Sequence, residues 1–134
     1  MYMSRLAHRQ PAQALASFAV AGVALVTVVL AFGNLVLWLY AQNVVVAAAQ
    51  EAAVVASREN GTPVEGQQSA RSLLVASLGP SAERVTTIDV HLDADVATAE
   101  LRGSWPVVLL GPLASAPLHA TATLARERFR PWGR

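Results

Sequence analysis

The sequence contains no cysteine and no lysine, and all 10 of its basic residues are arginine. The missing cysteine excludes disulfide bonds, zinc–thiolate sites and a cysteine nucleophile. The missing lysine fits a composition biased towards alanine and valine, and it points to no particular chemistry. The formal net charge is only +1, so nothing in the chain resembles the strongly basic face of a nucleic-acid-binding protein.

Charge is also absent from a long N-terminal segment, since residues 10 to 50 contain no Asp, Glu, Lys or Arg. The part from Ala14 to Tyr40 is predominantly apolar and contains no proline. A transmembrane helix needs about 20 such residues, whereas the apolar region of a signal peptide has about 7–15. The segment therefore predicts a membrane anchor that is not cleaved, with membrane lipid as a partner.

The charges on either side of this segment predict its orientation. Arg5 and Arg9 precede it, and Glu51, Arg58 and Glu59 follow it. Because positively charged flanks stay in the cytoplasm, we expect a single-pass protein of the cell membrane with a cytoplasmic N-terminus and an extracytoplasmic C-terminal domain. The predicted organisation is a cytoplasmic head (1–13), a transmembrane helix (14–40), an extracytoplasmic extension of the same helix (41–60) and a small extracytoplasmic α/β domain (61–134).

The extension of the helix carries a stripe of small residues. Residues 41 to 58 contain neither glycine nor proline, and Asn60-Gly61 then supplies a stop. Ala48, Ala52 and Ala56 recur at four-residue spacing, and such a stripe lets another backbone approach closely. Two partners for this helix packing stripe are open, namely the outer domain of the same chain and a neighbouring subunit.

The outer domain combines one short helix with three strands. Thr62-Pro63-Val64-Glu65 is a helix-start signal and Gly79-Pro80 a stop, which together predict a helix over residues 63 to 78. Alternation of apolar and polar residues predicts strands over 86–93, 96–104 and 118–125. The predicted fold class is α+β, with a long N-terminal transmembrane helix continuing outward, a short second helix and a three-stranded antiparallel meander.

A second uncharged stretch lies between Arg102 and Arg126. Pro106, Pro112 and Pro117 interrupt it, and this density of proline argues against a second transmembrane helix. The apolar residues 107–113 are expected either to fold over the sheet or to form an exposed patch that a partner covers.

One cluster of residues resembles a chemical site. Asp89, His91, Asp93 and Asp95 alternate along a predicted strand and its turn, and carboxylates with an imidazole can hold a divalent metal. Alternation alone also places polar residues on the solvent face of an amphipathic strand, and this second interpretation is the one we favour. No catalytic Ser/His/Asp spacing, phosphate-binding loop or glycine-flanked serine elbow occurs, so we expect no enzyme, no metal or other cofactor, and no small-molecule substrate.

Three segments occur in a characteristic order along the chain. They are Trp38-Leu39-Tyr40-Ala41-Gln42-Asn43 at the end of the anchor, Ala47-Ala48-Ala49-Gln50-Glu51-Ala52-Ala53 after it, and Glu127-Arg128-Phe129-Arg130-Pro131 near the C-terminus. Together with the strand pair and the proline-containing apolar loop, they resemble the TadE-like family of small bitopic proteins over nearly the whole chain. The resemblance implies a minor-pilin or pseudopilin-like component of a Tad (Flp, tight-adherence) pilus and secretion apparatus, with other pilus or pilus-assembly subunits as partners.

One position departs from the pattern of that family. Family members and other type IV-like pilins usually carry a glutamate near the start of the apolar helix, often in a V-E-F triplet, and the aligned residues here are Ala16-Ser17-Phe18. Ser17 therefore stands at the pilin-acid position, and the equivalent processing bond is Ala12–Gln13. In pilins, the acid helps to place the subunit for processing and assembly. Because this chain lacks the acid, we expect that the bond is not cleaved and that the protein does not insert into a filament in the ordinary way.

The sequence thus favours a non-enzymatic component of a Tad/Flp pilus or secretion apparatus that acts through contacts of its helix and its small domain. The alternative is a membrane-tethered extracytoplasmic binding module unrelated to pili. The second hypothesis predicts that the domain retains a ligand when every pilus component is absent.

Overall fold

The structure is a computed structural model that describes residues 9–111 and 113–126. Its elements are the helices α1 (Arg9–Ser57) and α2 (Pro63–Leu78), and the strands β1 (Val85–Leu92), β2 (Val96–Pro106) and β3 (Ser115–Ala125). The strands form an antiparallel sheet in the order β1-β2-β3, which confirms the predicted α+β class and its meander. Most of the predicted head and the family-like ending at 127–131 lie outside the described residues.

Strands β2 and β3 are longer than the alternation predicts. Trp105 pairs with Ala116, and Pro106 pairs with Ser115, so the ladder continues past the expected ends of both strands. Pro117 is accommodated because it lies on an edge strand, where a missing N–H breaks no ladder bond. Pairing between β2 and β3 determines where each strand ends, and no local sequence signal predicts this pairing.

The described residues divide into two compact units, with the boundary between Val36 and Leu37. In the first unit, α1 is apolar on every side, and none of the side chains from residue 12 to residue 36 is buried. Its hydroxyl at Thr27 donates to the Val23 carbonyl at 2.8 Å, so this polar group finds its partner within the helix. A helix that is apolar all round requires apolar surroundings.

In the second unit, one face of α1 is buried. Ala41, Val45 and Ala48 are fully buried, and burial recurs at helical spacing as far as Ala56. This face packs in a single hydrophobic core with residues from α2 and from all three strands, among them Leu74, Val90, Leu101 and Leu118. The part of α1 from Ala41 to Ala56 is therefore the central element of the domain core.

Helix α2 begins with the predicted cap and lies close to α1. The Thr62 hydroxyl accepts from the Glu65 N–H, and the Glu65 carboxylate accepts from the Thr62 N–H, so two otherwise unpaired donors are satisfied. A Cβ added at Gly66 would lie 2.8 Å from the Ala52 carbonyl oxygen. Ser69 also donates to Glu51 at 3.1 Å. Gly66 is thus the contact that lets two helical backbones approach.

The sheet contains one irregularity, at the start of β1. The register shifts between Val85 and Thr87, and this bulge turns Val85 into the core although it is out of phase with Val90. The bulge brings the chain against Gly103, where an added Cβ would lie 2.4 Å from the Arg84 carbonyl oxygen. A side chain at position 103 would force these two segments apart.

Strand β3 and helix α1 run in the same direction through the second unit. Trp38 bonds to Pro117, and Gln42 bonds to His119. Four helical residues rise about 6 Å, and two strand residues rise about 6.6 Å, so the two elements advance together. The β2–β3 connection therefore lies at the end of the unit nearest Leu37, called here the proximal end, and the β1–β2 turn lies at the opposite, distal end.

Candidate functional site

The apolar part of α1 is the first surface with a functional implication. By length and composition, one helix among the described residues could cross a membrane, within the range Ala12–Ser57, and its most apolar window has no buried residue. Ala12, Gln13 and Ser17 are exposed on this helix. Ser17, which the TadE-like resemblance aligns with the pilin acid, and the Ala12–Gln13 bond therefore lie on an exposed helical segment.

The helix packing stripe is covered by the chain itself. Ala48, Ala52 and Ala56 have no exposed surface, because α2 and the sheet pack directly on them. Of the two partners that the sequence left open, the structure shows the outer domain of the same chain. A neighbouring subunit cannot reach these alanines while the domain is folded.

Three side chains near the proximal end connect α1 to the rest of the domain through hydrogen bonds. The Trp38 indole donates to the Pro117 carbonyl at 3.3 Å, and the Tyr40 hydroxyl donates to the Ser77 carbonyl at 3.2 Å. Gln42 donates to the His119 carbonyl at 2.6 Å. The two aromatic residues thus connect the helix to β3 and to α2.

The solvent face of the sheet carries an ion cluster that the sequence reasoning missed. Glu100 accepts hydrogen bonds from Arg102, which follows two residues later on β2, with Nε at 2.7 Å. His119, which pairs with Arg102 across the strands, lies 3.1 Å from the same Glu100 oxygen through its Nε2. Opposite charges two residues apart on a strand share a face, and this spacing was the available signal.

The cluster changes the titration of Glu100. The hydrogen bond from Arg102, and after it that from His119, lower the pKa of the Glu100 carboxyl below its usual value, because both partners favour the charged form. All three side chains are accessible to solvent. The arrangement is an open surface network and holds no buried group poised for acid–base chemistry.

The four residues of the candidate metal cluster are spread over a strand and a turn. Asp89 and His91 are exposed on the outer face of β1, while Asp93 and Asp95 flank the β1–β2 turn at the distal end. The Asp93 N–H donates to the Val96 carbonyl at 2.9 Å, and the Asp93 carbonyl accepts from Arg126 at 3.3 Å. Within residues 9–111 and 113–126, no three His, Asp or Glu side chains come together as a metal site.

The apolar connection between β2 and β3 is exposed. Val108 and Leu110 retain 74% and 77% of their accessible surface, and Leu113 retains 98%. Of the two expectations for this segment, folding over the sheet is wrong, because the sheet's inner face is already occupied by α1. Beside it, the Arg84 guanidinium lies 5.5 Å from the centre of the Trp105 ring, a cation–π contact.

Comparison of the chain with protein-family models, with curated proteins and with solved structures gives no match. Functional inference therefore depends on the residues and their arrangement.

Proposed function

We propose that this protein is a non-enzymatic, single-pass membrane protein that acts as a TadE-like component of a Tad/Flp pilus or secretion apparatus. The observation that carries the proposal is the change in α1 at Leu37. Before this residue the helix is apolar and exposed on every side, and after it one face is buried in a folded domain. One helix thus combines a surface that suits lipid with the central element of a domain.

The burial pattern supports an anchor that is retained. Ala41 and Val45 have no exposed surface, and Ala48 and Ala49 continue the same core face. Signal peptidase acting at Ala47 to Ala49, where small residues follow the apolar run, would remove part of this core. Cleavage there would cost several buried side chains, each worth about 1–3 kcal/mol, so a folded domain favours an uncleaved helix.

The proposed topology follows from the flanking arginines. Arg5 and Arg9 precede the apolar run, which supports a cytoplasmic N-terminus and an extracytoplasmic domain. Partners in this proposal are membrane lipid and other pilus subunits, which contact the helix and the exposed faces of the small domain. The ordered resemblance to TadE-like proteins supports the second class of partner.

Membrane anchoring is tested by placing a charge in the middle of the apolar run. Val26→Arg should lower the share of the full chain that is retained in the membrane, because arginine at a helix centre costs about 2.5–3.5 kcal/mol. Val64→Arg is the matched control, since Val64 is also exposed but lies on α2. Carbonate extraction of membranes measures the outcome, and equal membrane retention of both variants would exclude a spanning role for this segment.

Participation in a pilus apparatus is tested by co-purification and deletion. The full chain extracted in mild detergent should bring down pilin or membrane-platform proteins, and deletion of its gene should reduce piliation. The Val26→Arg variant is the negative control for the pull-down. Recovery of the protein alone, together with wild-type piliation after deletion, would exclude this function.

A second function is favoured by the exposed polar face of the sheet, where Glu100, Arg102 and His119 are accessible. Such a face suits a membrane-tethered binding module for a cell-wall or extracellular ligand. A fragment that starts at residue 60 cannot test this, because it lacks the buried face of α1. The full chain in nanodiscs, incubated with isolated cell-wall material, should retain it without any pilus component if this function holds.

A further inference from the structure

We propose that the proximal loop, residues 107–111 with Leu113, inserts into the interface of the bilayer and forms a second membrane contact in addition to the apolar run of α1. The inference rests on the proposed membrane anchoring of the chain. Its occupant is the lipid surface itself, and it assigns a role to an apolar patch that neither the domain core nor the ion cluster uses.

The composition and the backbone of the loop suit an apolar environment. No charged residue occurs from Gly103 to Ala125, and Val108, Leu110 and Leu113 are exposed. The backbone bonds are local, from Leu110 N–H to the Val107 carbonyl at 3.1 Å and from Val107 N–H to the Ala114 carbonyl at 2.9 Å. This matters because a backbone group without a partner is costly in lipid.

The position of the loop selects the lipid surface as its partner. Trp38, near the end of the apolar run, bonds to Pro117 of β3. Because β3 runs with α1, the residues before Pro117 extend towards Leu37. Ser115 pairs with Pro106, so the loop that joins these two residues projects from the proximal end. The chain enters the domain from the apolar run at Leu37, so the proposed anchoring favours lipid as the partner at this end.

Two residues beside the loop suit a membrane interface. Trp105 and Arg84 form their cation–π pair at the C-terminal end of β2, next to the loop. Tryptophan is enriched at membrane interfaces. Arginine can reach headgroups while its stem stays on apolar surface. Asp93 and Asp95 lie at the distal end, which keeps these carboxylates away from the lipid.

Site-directed spin labelling tests the proposal on the full chain, which has no native cysteine. Single variants Leu110→Cys, Val64→Cys and Val26→Cys carry a nitroxide in phosphatidylcholine nanodiscs, and power saturation compares collisions with oxygen and with a water-soluble nickel chelate. Oxygen enriches in lipid and the chelate in water. Val64 is the matched control, because it is a similarly exposed apolar residue, at 59%, on the distal half of α2.

The expected result is a shift in favour of oxygen at position 110, in the same direction as at position 26, and the reverse at position 64. Chelate access at position 110 equal to that at position 64, with position 26 in lipid, would overturn this inference and leave the anchor intact. Low access to both reagents at position 110 would also overturn it, since protein would then cover the loop. Chelate access at position 26 would instead contradict the proposed anchoring itself. Circular dichroism confirms that each labelled variant is folded.

Discussion

Gln42 on α1 and His119 on β3 are joined through both ends of the glutamine amide. Nε2 donates to the His119 carbonyl at 2.6 Å, and the His119 N–H donates to Oε1 at 3.3 Å. The side chain thus binds the outer edge of β3 in the manner of a neighbouring strand. This pair fixes the position of β3 along the axis of α1, and therefore also the position of the proximal loop.

Replacement of Gln42 should therefore destabilise the domain. Gln42→Ala removes two hydrogen bonds with a net value of about 0.5–1.5 kcal/mol each, and we expect a loss of about 1–2 kcal/mol, since the edge is accessible to water. Gln50→Ala is the control, because Gln50 lies exposed on the same helix and gains the same helix propensity. Urea unfolding of the full chain in detergent micelles measures both, and equal midpoints would contradict a role for the Gln42 amide.

Gly66 should tolerate no side chain. An added Cβ meets the Ala52 carbonyl oxygen at 2.8 Å and the Ala56 Cβ at 3.3 Å, so Gly66→Ala must push α2 from α1. Overpacking of this kind costs about 1–3 kcal/mol, against a gain of about 1 kcal/mol in helix propensity. We expect net destabilisation in thermal unfolding. Gly33→Ala is the control, since nothing lies within 4 Å of that position, and it should leave the domain's transition unchanged.

Larger residues should destabilise the protein on the buried face of α1, which carries the helix packing stripe, but not on its exposed face. Ala52→Leu adds volume to a fully buried position and should cost about 1–3 kcal/mol or more. Ala47→Leu places the same side chain on an exposed face of α1 and should leave stability nearly unchanged. Denaturant titration of both variants in micelles decides the matter. A stripe built for a neighbouring subunit would instead leave monomer stability unaffected in both cases.

The titration of Glu100 should depend on Arg102 more than on His119. The pKa of Glu100 is lowered first by the hydrogen bond from Arg102 and then by that from His119. Arg102→Gln should therefore raise this pKa towards its usual value, and His119→Gln should raise it by less. NMR titration of the Glu100 carboxyl carbon in the full chain provides the measurement, and an unchanged value in Arg102→Gln would refute the assignment.

The same shift fixes the sign of a pH effect on stability. The carboxyl of Glu100 has a lower pKa in the folded chain than in the unfolded chain. Its contribution is therefore present above the unfolded pKa and is lost as pH falls through the folded pKa. Because the pair is accessible to solvent, the contribution is small. Glu100→Gln should flatten the acid limb of the stability profile and leave stability at neutral pH little changed.

The local elements could be read from the sequence because their signals are local. Helix α2 is found over the predicted residues 63 to 78, since Thr62 caps its start and Gly79 ends it. The alternation of Ile88, Val90 and Leu92 predicted β1, and these residues face the core or lie partly buried beside it. Each of these features depends on neighbours within a few positions of the chain.

Other features could not be predicted, because they depend on contacts between distant residues. The bulge at Val85 and the added length of β3 arise from pairing with β2. Gly66 counts as a weak helix former in isolation, yet it is the close contact between two helices. The cluster of Glu100, Arg102 and His119 needs the register of two strands, although the spacing of the first two was visible.

The sequence by itself determined that residues 10 to 50 carry no charge and that their apolar run continues as a helix rich in alanine. It could not determine at which residue one face of the helix becomes buried in the domain, because alanine and valine suit lipid and a protein core equally well. Only the tertiary structure decided this, by packing α2 and the sheet on one face from Ala41 onward. The same packing left residues 108 and 110 exposed at the proximal end, since the helix had already filled the inner face of the sheet.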